Sequence, residues 1–136
     1  MPYRLIWEAN GLVRQYHGDV TIDERLASFE AICADPRFDS LHYTITDYLE
    51  VASYELSDAA TAEIAALHVA PLVTNPRIVM AAVATRPDVV AAIRAFIDLG
   101  FTSAPYRVFP TLQEARRWVA SVTPPARPTK RRLPPR

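Results

Sequence analysis

Residues 3–18, YRLIWEANGLVRQYHG, alternate apolar and polar positions on both sides of Asn10-Gly11. Alternation marks half-buried strands, and Asn-Gly supplies the positive φ of a type I′ turn, so the stretch predicts a β-hairpin. A two-residue loop at that dipeptide pairs Ala9 with Leu12, Trp7 with Arg14, Leu5 with Tyr16 and Tyr3 with Gly18. Trp7 then opposes Arg14 directly, as a cation–π pair.

The period then changes. Thr21 with Glu24 forms a capping box, and Ile22, Leu26, Phe29 and Cys33 follow at helical spacing as a buried stripe that Asp35-Pro36 ends. Leu41–Thr46 is rich in β-branched and aromatic residues and predicts a third strand, followed by a loop from Asp47 to Ser57. Ser57 reads as the N-cap of a second helix, which Pro71 ends or kinks. Residues 77–84, RIVMAAVA, are nearly all apolar, as in a central strand covered on both faces. Thr85 with Asp88 is a weaker capping pair before a third helix stopped at Gly100. YRVF (106–109) is a short last strand. Thr111 with Glu114 opens a fourth helix with Leu112, Ala115, Trp118 and Val119 inward. The order β-β-α-β-α-β-α-β-α predicts an α/β fold with a mixed sheet of about five strands and four helices.

Composition adds a boundary. Lys and Arg number 15 and so do Asp and Glu, but residues 123–136 hold five basic residues (Arg127, Lys130, Arg131, Arg132, Arg136), no acid and five of the 12 prolines. The remaining 10 basic and 15 acidic residues leave the body at about −5. One domain over 1–122 and a disordered basic tail over 123–136 are therefore expected. An acidic body disfavours a nucleic-acid platform, leaving weak contact through the tail. No apolar run approaches the ~20 residues that span a bilayer, and the expected location is cytoplasmic.

The candidate chemistry is sparse. Cys33 is alone, so no internal disulfide forms, and it continues an apolar stripe. His17, His42 and His68 lack metal-ligand spacing, and His68 reads as a boundary residue. With three glycines, no P-loop and no G-x-G-x-x-G, neither a metal nor a cofactor is expected. Ligand sites of open α/β sheets lie outside the carboxyl ends of strands, which selects Asp47, Tyr48, Ser53, Thr85 and Arg86. Asp47 itself reads first as an acid accepting N–H groups of the following loop. His42, Thr44 and Thr46 share one face of the third strand, and this polar row suggests a solvated face, a subunit contact or a wet pocket.

Several stretches together resemble one family: the hairpin running into Gly18-Asp19-Val20-Thr21, DPRF at 35–38, a strand ending in Asp47, and VFPTLQEARRWV at 108–119. They are similar to the SpoIIAA-like branch of the STAS superfamily, over roughly residues 3–120. In anti-sigma-factor antagonists of that superfamily, the resemblance implies, a hydroxyl just after the strand-ending Asp is phosphorylated by a kinase partner and the charge breaks an interface. Here Tyr48 and Leu49 follow Asp47, and the nearest hydroxyls, Ser53 and Ser57, become the candidates for phosphorylation.

The function expected is a non-enzymatic regulatory or protein-interaction module, working through the loops after strands three and four. Its partners would be another protein or a second copy as a homodimer. The alternative is a carrier or sensor of a small apolar or lipid-like ligand, because the branch is compared with the CRAL-TRIO fold. The Ala- and Val-rich segments 59–73 and 89–97 would then line the cavity.

Overall fold

The structure is a computed structural model and describes residues 2–101 and 103–122. The expected basic tail lies outside the described residues. The strands are β1 (Tyr3–Glu8), β2 (Gly11–Val20), β3 (Tyr43–Tyr54), β4 (Val79–Val83) and β5 (Tyr106–Phe109). They form one sheet in the order β1-β2-β3-β4-β5, with β1 antiparallel to β2 and every later pair parallel. The helices are α1 (Ile22–Ala34), α2 (Asp58–Leu67), α3 (Val69–Thr74), α4 (Pro87–Leu99) and α5 (Leu112–Val122), with a 3₁₀ turn at Pro36–Ser40. The α/β class and mixed five-stranded sheet are as expected, and so are the four helical segments, the second broken in two.

Strands added one after another in the same direction by right-handed crossovers put every connecting helix on one face. Val89 and Ile93 of α4 accordingly pack with Tyr16, Tyr48 and Ala82 on that face, and Ile32 of α1 with Leu12 and Met80. The helix after the last strand, α5, covers the other face, where Ala115 and Val119 meet Val13, Ile45, Ala81 and Val83. All five residues of β4 are buried, as a strand covered on both sides requires.

The hairpin forms with a different register. Glu8 pairs with Gly11, Trp7 with Leu12, Leu5 with Arg14 and Tyr3 with Tyr16, so the turn is Ala9-Asn10. Asn10 adopts the positive φ, 63°. Gly11 is needed for close approach: a Cβ there would lie 1.9 Å from Cζ of Tyr43, whose ring packs on its backbone. Trp7 consequently does not oppose Arg14. Its ring carries the Arg37 guanidinium at 4.2 Å, and Arg14 lies 5.1 Å from the Tyr16 ring.

The third strand does not end at Thr46. It runs on to Tyr54, because β2 continues beside it through Val20. The pairing jumps from Gln15↔Asp47 to His17↔Glu50 and from Gly18↔Val51 to Asp19↔Ser53, so β3 carries one extra residue at each of two β-bulges. Asp47 is thus mid-strand, level with the last residue of β4, and the stretch through Tyr54 is no loop.

Other local expectations fare unevenly. The capping box of Thr21 and Glu24 is complete, Ser57 caps α2, and Gly100 ends α4 at φ 66°. Pro71 lacks an N–H and crowds the carbonyl four residues back, and the break falls there, at Leu67-His68. The Thr85–Asp88 cap is absent: Arg86 is the N-cap, Pro87 opens α4, and Asp88 accepts the Val89 N–H and the Arg86 guanidinium. In α1 the fully buried line is Ser28 and Ile32, while Ile22, Leu26, Phe29 and Cys33 are half-buried. The helix turns Ser28 inward to meet polar groups on the sheet.

Candidate functional site

Those polar groups begin on β2. Leu12, Arg14 and Tyr16 alternate onto the helix-covered face, and Thr44 and Thr46 stand beside Leu12 and Arg14 in register. The guanidinium of Arg14 donates from Nε and Nη2 to Thr46 Oγ1 at 3.3 and 3.1 Å, and from Nη1 to Ser28 Oγ at 3.0 Å. Ser28, 0% exposed, passes its own hydrogen to Arg25 O at 2.9 Å, so the Tyr16 hydroxyl donates to it at 2.7 Å.

A cavity of about 80 Å³ lies over this cluster, between the sheet and α1–α4. Its walls are Phe29 and Ile32 of α1, Ile64 of α2, Leu72 of α3, Phe96 of α4, and Met80 and Tyr106 of the sheet. Segments 59–73 and 89–97 both contribute to the lining, as anticipated. The space suits several waters or one small molecule, not a long lipid chain.

The aromatic groups are linked. Tyr16 stacks on Tyr48 at 5.4 Å, and Tyr48 meets Tyr54 edge-on at 5.7 Å. The bulges put Tyr48 and Tyr54 here: inward positions on β3 fall at 44, 46, 48, 51 and 54, not at every second residue. Burial raises the pKa of Tyr48, Tyr54 and Tyr106. These phenols are neutral hydrogen-bond donors.

His68, at the break between α2 and α3, is not a boundary residue. It stacks on Phe29 at 4.1 Å and meets Phe96 edge-on at 4.9 Å, lining the cavity. Burial lowers its pKa to about 4, with the Arg14 charge adding to the effect against a bond to the Ile64 carbonyl. Near neutrality it is uncharged, and its Nδ1–H then donates to Ile64 O at 2.8 Å. Burial opposes the charge of Arg14 most strongly, yet the four surrounding tyrosines leave its pKa raised. No Asp or Glu lines the cavity.

The residues singled out in the sequence divide between places. Tyr48 lines the cavity. Asp47, 6% exposed, alternates onto the opposite face and accepts the Leu49 N–H at 2.9 Å, inside the first bulge. Ser53 donates to Asp19 at 2.6 Å on the exposed end of β3. Arg86 holds the Ala52 carbonyl at 2.7 Å and the Asp88 carboxylate, tying α4 to that end, and Thr85 beside it is exposed. Ser57 accepts the Ala60 N–H at 3.2 Å. Thr44 and Thr46 line the cavity, while His42 is half-buried outside it.

Arg14 was missed as a site residue. A charged residue at an inward position of an interior strand, flanked by Leu12 and Tyr16, is the signal that identifies it. Cys33 is half-buried, and burial raises its pKa, away from the thiolate. Among the described residues no group of three His, Cys, Asp or Glu could hold a metal, and no helix is long and apolar enough to cross a membrane.

No protein-family model and no curated protein matches the chain. Solved structures do. The anti-sigma factor antagonist SpoIIAA in its unphosphorylated form superposes with a TM-score of 0.59 at 11% identity, covering 88% of this chain and 99% of that one. An uncharacterized protein of the DUF3478 family with a SpoIIAA-like fold, from Shewanella loihica, gives 0.53 at 14% identity, covering 86% and 91%. The fold is therefore SpoIIAA-like.

Proposed function

We propose that this SpoIIAA-like module is a non-enzymatic sensor, in which a small molecule held between the sheet and α1–α4 sets a surface read by a protein partner. The observation that carries the reading is the cavity with Arg14 at its floor. Domains of this size normally leave no void over a charged group, because each unfilled contact and each unmatched charge costs stability. The non-enzymatic part is supported by what faces the cavity: phenols shifted away from ionisation and a histidine whose ring nitrogen is engaged by a carbonyl. Asp47, between the lining residues Thr46 and Tyr48, alternates onto the other face.

The surface we assign to the partner is the exposed end of β3 with the start of α4: Ser53, Thr85 and Arg86. Tyr48 and Tyr54 line the cavity on the same strand that carries Ser53, so an occupant that moves them displaces this end. Native mass spectrometry of protein purified gently from its own host tests the reading. A small non-covalent mass is expected, lost when Ala92→Phe fills the cavity. A bare chain in both cases would count against it.

A second reading is supported by the end of β3 at Tyr54, because Ser57 then stands at the N-terminus of the helix that follows, two residues after Glu55. A phosphate there would meet the N–H groups and dipole of α2, whereas one on Ser53 would be repelled by Asp19. We assign any phosphoswitch to Ser57. A covalent phosphate mapped to Ser57 supports this, and one mapped to Ser53 refutes it.

A further inference from the structure

We propose that the cavity takes a small organic carboxylate with an apolar body, its carboxylate held by Arg14. This rests on the sensor reading and names its ligand class.

Three ion pairs occur among the described residues, Arg37–Asp35, Arg86–Asp88 and Arg116–Glu8, and Arg14 belongs to none of them. Arginine keeps its charge at any pH a folded protein meets, so the floor of the cavity is a permanent cation. The Thr46 and Ser28 hydroxyls satisfy part of its hydrogen-bonding capacity without offsetting that charge. Three of its N–H groups are engaged, by Thr46 and Ser28, out of the five a guanidinium carries. One on Nη1 and one on Nη2 are left as donors for carboxylate oxygen. A cation buried without a counter-ion is costly, and an anion that arrives with the ligand supplies one.

The walls decide the rest of the molecule. Phe29, Ile32, Ile64, Leu72 and Phe96 offer no polar side-chain partner, which disfavours a fully hydrated ion such as inorganic phosphate. The second arginine of the lining, Arg25, is already seated 4.5 Å over the Tyr54 ring and bonded to Glu55 O. One available guanidinium matches one carboxylate. At about 80 Å³ the cavity is roughly half the ~150 Å³ that houses a benzene, which limits the ligand to about the size of propionate or butyrate.

Calorimetric titration of the full chain at pH 7 with propionate and butyrate, against propionamide and butyramide, tests this. The acids are expected to bind roughly ten-fold or more tightly than their amides, the size of effect a charge-assisted pair gives. Arg14→Met should bring each acid down to its amide, and Arg14→Lys should keep part of the preference. Inorganic phosphate should give no heat. Amides binding as well as acids, a preference that survives Arg14→Met, or phosphate binding more tightly than butyrate would overturn the carboxylate while leaving a ligand cavity. No binding by any compound would overturn both. The comparison of acid with amide in the unaltered chain stands even where a variant fails to fold.

Discussion

Arg14 on β2 and Ser28 on α1 meet through a 3.0 Å hydrogen bond that joins the charge at the floor of the cavity to the helix above it. Ser28 also accepts from Tyr16 and donates to Arg25 O, so one fully buried oxygen serves three groups. Ser28→Ala leaves the Tyr16 hydroxyl and one Arg14 N–H without an acceptor, a loss expected at about 1–3 kcal/mol. Denaturant unfolding measures it. A change below about half a kcal/mol would mean that cavity water already serves both groups.

The histidine makes stability fall in acid. His68 titrates at about 4 when folded against 6.5 as its ordinary value. Between those values the unfolded chain binds a proton that the folded chain does not, so stability rises with pH across this window and is lost as pH falls through it. The full span is on the order of 3 kcal/mol. His68→Phe, which keeps an aromatic ring between Phe29 and Phe96, should flatten unfolding free energy between pH 6.5 and 4. The residual acid loss then comes from groups such as Glu8, whose pKa is lowered mainly by the Arg116 hydrogen bond. Glu8 stabilises above the ordinary carboxylate value and ceases to do so as pH drops through its folded one.

Gly11→Ala tests the close approach of Tyr43. The added Cβ would overlap the Tyr43 ring, whose hydroxyl donates to Glu8 at 2.5 Å while Arg116 holds the same carboxylate at 2.7 Å. The expected cost is ~1–3 kcal/mol, from a displaced ring and a broken link between β1, β3 and α5. In a Tyr43→Ala background the same substitution should cost much less. Equal losses in both backgrounds would place the strain elsewhere.

Asp47 separates a structural acid from a chemical one. Its carboxylate accepts the Leu49 N–H inside a bulge, a task the Asn carbonyl oxygen performs equally well. Asp47→Asn should leave stability and ligand binding nearly unchanged, whereas Asp47→Ala should cost about 1 kcal/mol. Loss of ligand or partner binding in the Asn variant, at unchanged stability, would restore a functional role.

Asn75, 1% exposed, donates from Nδ2 to Phe38 O at 2.8 Å and Leu41 O at 3.0 Å, fixing the turn that leads into β3. Asn75→Asp replaces two donors by a buried anion facing two carbonyls. It should destabilise more than Asn75→Ala, and the difference should shrink in acid as the carboxyl protonates.

The parts of the fold written in local chemistry could be read from the chain. Thr21-Glu24, Ser57, Pro71 and Gly100 each announce a helix end through a bond or clash within a few residues. What the sequence hid depends on distant partners. Gly11 looks like a turn glycine, and only Tyr43, 32 residues on, shows that it serves close packing instead. Moving the hairpin register by two keeps every side chain on its face, so the pattern of alternation is right while Arg14 gains Leu5 rather than Trp7 as its neighbour. The length of β3 was concealed by its own bulges, since inward residues spaced by three at Tyr48, Val51 and Tyr54 do not look like a strand.

The most direct test of the ligand cavity is an amide NMR titration of the full chain with butyrate. The account predicts shifts at Arg14, Ser28, Thr44 and Thr46 that saturate together and extend along β3 to Ser53. Shifts confined to the outer surface, or none at millimolar acid, would contradict it.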